Sequence, residues 1–150
     1  MKKPSKNLPQ SKWIEPDDFE FICFNLTREF LTFDEPIPDY STRNNTLLES
    51  SLASPRHTFD KKLFYPTLEE QASILFYSLI KNHPFANGNK RIAVMTLLIF
   101  LKLNGKWLKI SPLALYRLAF VVANSKPKDK NMVFQELLKV MEKYIISAPN

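Results

Sequence analysis

Within nine residues, His83-Pro84-Phe85-Ala86-Asn87-Gly88-Asn89-Lys90-Arg91, the chain gathers a histidine, two asparagines, a glycine and two cations. An imidazole is able to take a proton from an attacking hydroxyl near neutral pH. Gly88 is one of only two glycines in 150 residues, and it stands directly before a helical segment. Successive backbone N–H groups at such an entrance, together with the helix dipole, form a natural anion site. Lys90 and Arg91 then fall in the first helical turn, where the dipole disfavours positive charge, so a bound anion would resolve the conflict. Arg91 carries a fork that grips phosphate oxygens bidentately, whereas Lys90 is a mobile point charge. As helix neighbours they cannot both face one direction, and at least one is expected to reach the anion. Phosphoryl chemistry asks mainly for positioning and charge compensation, so a base plus an anion cradle is nearly a sufficient kit.

Taken singly, each residue has an ordinary structural reading: a helix-end histidine, an Asn-Gly turn, a solvated Lys-Arg pair. Their adjacency at the mouth of the most apolar segment is what those readings leave unexplained. Other candidates stay with the bland reading. His57 reads as a solvated loop residue, Lys126, Lys128 and Lys130 as a solvated connector, and Trp13 and Trp107 as packing or interface residues near element ends. Cys23, the single cysteine, lies in the apolar run Phe21-Ile22-Cys23-Phe24 and reads as a small buried hydrophobe.

The elements that must position the loop follow helical spacing, and the fold class is all-α, built around one central buried helix. Pro16-Asp17-Asp18 opens a first helix expected to end near Phe33. A short helix over Asn44 to Ala53 follows, then a loop from Ser54 to Tyr65. Thr67-Leu68-Glu69-Glu70 has the spacing of a capping box, and Ala72, Leu75, Phe76, Leu79 and Ile80 mark one buried face of the helix it starts. That helix must stop near Asn82, because the residue before Pro84 is pushed out of the right-handed α region. A new helix starts at Gly88 or Asn89 and ends at Asn104-Gly105, where glycine tolerates a left-handed cap. Ser111-Pro112 and Asp129 announce two more.

One domain over residues 1–150 is the default at this length, with residues 1–15 as a flexible N-terminal tail. The formal charge of +6 is scattered rather than blocked, so a nucleic-acid partner is not expected. The most apolar window, Ile92 to Leu101, is far shorter than the roughly 18 residues a bilayer span requires, and no membrane partner is expected. The polar, Pro-broken start and the lone cysteine suit the cytoplasm.

The stretch His83 to Arg91 resembles the signature of the Fic/Doc family, His-x-Phe-x-Asp/Glu-Gly-Asn-Gly/Lys-Arg, and is most similar to the death-on-curing (Doc) branch. Thr-Leu-Glu-Glu before the preceding helix, Lys81-Asn82, Ile92-Ala93 and Leu103-Asn104-Gly105 add to the likeness, which spans roughly residues 47–106. The resemblance implies a compact Fic-type helical bundle with a small flap at residues 54–65 that aligns a target segment. It implies that His83 is the base activating a protein hydroxyl, that Phe85 anchors the loop, and that Gly88, Asn89, Lys90 and Arg91 hold nucleotide phosphates. ATP or another nucleoside triphosphate is the implied co-substrate, with Mg²⁺.

The chain departs from the family at three positions. Asn87 stands where most members place an acidic Mg²⁺ ligand, and a neutral carbonyl is a poorer ligand for a hard dication. Lys90 replaces the second glycine of AMP-transferring members, and Val94 replaces their second arginine. Doc-type proteins share the latter two changes and act as kinases on elongation factor Tu, so phosphorylation of a target such as a translation factor, by the toxin of a toxin-antitoxin pair, is the favoured reading. AMP transfer is the alternative, as is a nucleotide- or protein-binding module weakened in catalysis. With no clear Ser/Thr-x-x-x-Glu-Gly/Asn inhibitory motif, control by a separate antitoxin is expected.

Overall fold

A computed structural model describes residues 11–149 of the chain. Six α-helices carry the fold. The first, α1, covers residues 16–30 and is interrupted by a π-helical turn at Glu20–Phe24. Pro16 occupies its first turn, where a missing N–H costs nothing, and Asp17 and Asp18 face the positive end of the dipole. It ends earlier than expected, because Leu31 leaves the helical region at φ −110°, ψ 73°. The carbonyls released from residue 31 onward are used by the site described below.

Helix α2, Asn45–Ala53, is capped by the Asn44 side chain, which accepts the Leu47 N–H at 3.0 Å. The segment expected as a loop and flap folds into a hairpin, β1 (Thr58–Phe59) against β2 (Lys62–Leu63), in antiparallel register. Asp60 and Lys61 both take positive φ, as a two-residue type I′ turn requires.

Helix α3, Leu68–Lys81, starts with the capping box: Glu70 N–H donates to Thr67 Oγ1 at 3.1 Å, and Thr67 N–H donates to Glu70 Oε1 at 3.0 Å. Helix α4, Asn89–Leu103, buries ten of its side chains and packs against α1, α3 and α5 (Pro112–Asn124), so it is the central helix. Helix α6 is Lys130–Tyr144. Two three-residue strands, β3 (Lys106–Leu108) and β4 (Ile145–Ser147), pair antiparallel and were not foreseen. At three residues, a strand has too few alternations to leave a pattern in sequence. Cys23 is fully buried, and burial pushes its thiol up to about 12, so it is an inert core residue.

The expected tail is corrected in part. Residues 1–10 lie outside the described residues, but residues 11–15 are docked on the helices. Trp13 stacks on Phe100 of α4 with centroids 6.1 Å apart, and Ile14 is buried. The Asn104 side chain accepts the Lys12 N–H at 2.7 Å and donates to the Lys12 carbonyl at 3.0 Å. At the other end of the chain, Ala148 N–H donates to the Gly105 carbonyl at 2.9 Å, just past the left-handed Gly105, whose φ is 73°. Among the described residues no helix is long and apolar enough to cross a membrane.

Candidate functional site

The turn between α3 and α4 is over-determined by contacts that reach three other parts of the chain. Asn82 remains right-handed, and its amide donates to Ser51 Oγ of α2 at 2.9 Å. His83 then leaves the right-handed region as expected, but into the left-handed one, at φ +53°. A non-glycine residue there is uncommon, and such strain persists only where surrounding contacts enforce it. Those contacts follow at once. The Pro84 carbonyl accepts the Asn44 N–H at 2.8 Å, and the Phe85 ring is buried among Phe19, Phe24 and Tyr40 at centroid distances of 6.3, 5.3 and 6.2 Å.

Asn89 staples the turn shut. Its side chain accepts the Phe85 N–H at 3.0 Å and donates to the Phe85 carbonyl at 2.7 Å, from a buried position. Both faces of its amide are thus committed to the loop, and only its backbone N–H is available to an anion. Gly88 at φ 84° is the N-cap of α4 and provides no side-chain cap. Consequently, among the described residues, no side chain caps the N–H groups of Asn89, Lys90 and Arg91 that open the helix.

A Cβ on Gly88 would lie 2.6 Å from Cγ1 of Ile37. Gly88→Ala therefore meets both a φ that side-chain-bearing residues rarely adopt and a core side chain. Destabilisation of about 2 kcal/mol or more is expected in urea unfolding, and the Ile37→Ala background should recover only the steric part.

These groups line a cleft of about 290 Å³ whose walls include His83, Asn87, Gly88, Asn89 and Lys90 together with Lys81 and Ala123. His83 is exposed at its edge, and among the described residues its imidazole makes no hydrogen bond. Lys90 lines the cleft with its ammonium 4.9 Å from the ring centroid of Phe120.

Arg91 is not where the resemblance put it. It is 2% exposed, does not line the cleft, and donates from Nη1 to the carbonyls of Leu31 (3.2 Å) and Phe33 (2.6 Å) and from Nη2 to that of Glu35 (2.5 Å). Successive helical residues point about 100° apart, so when Lys90 faces the cleft, Arg91 faces the interior. The strap that it holds, residues 31–37, is fastened twice more. Asn87 Nδ2 donates to the Pro36 carbonyl at 3.0 Å, and Tyr116 OH donates to Asp34 Oδ2 at 3.0 Å. The Tyr116 hydroxyl is the main cause holding the Asp34 carboxyl below its ordinary pKa, with the Glu35 N–H and the Arg91 and Lys90 charges acting in the same direction.

Asn87 is similarly occupied. While its amide nitrogen serves Pro36, its oxygen accepts the Gly88 N–H at 2.8 Å. Among the described residues no Asp or Glu lines the cleft, and no group of three or more His, Cys, Asp or Glu could bind a metal ion. The donor set does not fit a Mg²⁺ ion held by the protein, since Mg²⁺ sites are built on carboxylates. Sequence reasoning also missed Lys81 and the strap. A lysine in the last turn of a helix reads as dipole compensation, and a Pro-containing stretch reads as a spacer.

A family model described as Fic/DOC family matches residues 13–101. The chain is also 36% identical over 67 residues to "Toxin Doc" of Mycolicibacterium smegmatis, an overlap of 45% of this chain and 52% of that protein. It thus spans about half the length of the curated relative it matches. No solved structure matches. The matched span starts among the docked N-terminal residues, well before the stretch from Leu47 that carries the likeness by eye, and takes in the whole α3–α4 turn. On that extent, more than half of its 150 residues, the chain belongs to the Fic/DOC family.

Proposed function

We propose that this protein is a Doc-like toxin that phosphorylates a hydroxyl of a target protein, with a nucleoside triphosphate as donor. The observation that carries the reading is that an exposed imidazole and an uncapped helix N-terminus share one cleft. In the proposed step, His83 accepts the proton of a target Ser, Thr or Tyr hydroxyl. The freed oxygen forms a bond to the terminal phosphorus, the bond from that phosphorus to the bridging oxygen breaks, and the nucleoside diphosphate leaves. The N–H groups of Asn89 to Arg91 and the Lys90 ammonium steady the phosphate charge. The name of the mycobacterial relative supports the toxin role. A cytoplasmic target of the translation-factor kind, and a separate antitoxin, belong to the same reading.

AMP transfer is the second reading, and one feature disfavours it. Position 94, an arginine in AMP-transferring relatives, is here a valine, 2% exposed, which carries no charge and does not line the cleft. ATP labelled at the terminal or at the alpha phosphate separates the two. Label from the terminal phosphate alone is expected on the target; alpha label on the target would establish AMP transfer instead.

A further inference from the structure

Lys81 is the last residue of α3 and lines the same cleft as the N-terminus of α4. Its ammonium donates to the Ser125 carbonyl at 2.6 Å and to the Ala123 carbonyl at 3.4 Å, where α5 ends. The negative end of the α5 dipole fixes a charge that would otherwise swing on a flexible stem. An ammonium has three donors, so two carbonyls leave one for the cleft. Lys81 and Ala123 are both part of the cleft wall, so the ammonium is held beside the cavity. The lining therefore carries two lysines, an uncapped helix entrance and no carboxylate. Such a site is matched to an anion of several charges, and Asn87, engaged at both ends of its amide, adds no negative charge to recruit a dication.

We propose that Lys81 is a phosphate-binding residue of this cleft, and that Lys81 and Lys90 together balance the polyphosphate of the nucleotide without a divalent cation held by the protein. The inference rests on the nucleotide reading above and adds to it a residue and a metal requirement. A role confined to capping α5 would leave nucleotide affinity unchanged when Lys81 is altered.

The test is calorimetric titration of the full chain with ATP, once in EDTA and once with Mg²⁺. Binding in EDTA is expected at a Kd within a few-fold of that in Mg²⁺. Lys81→Met should weaken it by about tenfold or more, whereas Lys81→Arg, which keeps the charge, should stay near wild type. On the unaltered protein, amine-reactive labelling of Lys81 should fall several-fold when ATP is added in EDTA, a readout that stands even if Lys81→Met does not fold. Unchanged labelling, or wild-type affinity in a folded Lys81→Met, overturns the role of Lys81. Binding that demands Mg²⁺ overturns the inference and leaves the transferase reading standing. No binding of ATP in either buffer overturns both.

Discussion

Replacing His83 by alanine is expected to lower label transfer to the target hydroxyl by a factor on the order of 10²–10⁴, the range for loss of a positioned general base, with the fold retained. The fold should survive because the side chain is exposed and makes no hydrogen bond among the described residues. The backbone is the more delicate part. At φ +53° a β-carbon is strained, so His83→Gly is the cleaner variant: it removes the imidazole and relaxes the turn together. Its thermal midpoint should be no lower than wild type while its transfer rate falls as far as that of His83→Ala. Transfer at the wild-type rate in either folded variant would remove His83 from the mechanism.

The largest effect on stability is expected at Arg91. Arg91→Ala would strand the carbonyls of Leu31, Phe33 and Glu35 beside a void left by a side chain 2% exposed. Phe33 and Glu35 are exposed, so water takes over part of what their carbonyls lose, and the cost rests mainly on the emptied interior site: removing a large buried side chain costs about 2–5 kcal/mol, and a loss of about 3 kcal/mol is expected. Arg91→Lys should recover little of it, because a single ammonium cannot reproduce a planar fork aimed at three acceptors. Urea unfolding with an unchanged m-value measures both. A loss below about 1 kcal/mol for Arg91→Ala would show that the strap does not depend on this guanidinium. The Asp34 tie to the same strap has a defined pH sign. Its pKa is lowered, so its contribution is present above the ordinary carboxylate range and is lost only as pH falls through the lowered value. Neutral-pH measurements on Arg91 variants are thus made with that tie intact.

The helical framework was legible because its signals are local. The Thr67–Glu70 box, Pro16 in the first turn, Ser111-Pro112 and the left-handed Gly105 each act within four residues, and each appears where the sequence put it. The cleft was legible as a loop whose clustered residues belong together, since His83, Gly88 and Lys90 line it. What could not be read was direction and distance. Nothing local distinguishes an arginine turned outward to an anion from one turned inward to carbonyls 56 to 60 positions away. The left-handed His83, the double engagement of Asn87 and the docking of residues 11–15 on α3 and α4 all depend on partners far along the chain. The π-helical turn in α1 belongs to the same class: hydrophobic spacing reads it as ordinary helix.

The ties of Lys12 to Asn104 and of Ala148 to Gly105 bring the two extremities of the described chain to one corner, at the C-terminal end of α4. The cleft opens at the opposite end of that helix, about 22 Å away for fifteen residues at 1.5 Å each. A fluorophore attached at position 12 or 148 is thereby kept clear of the cleft.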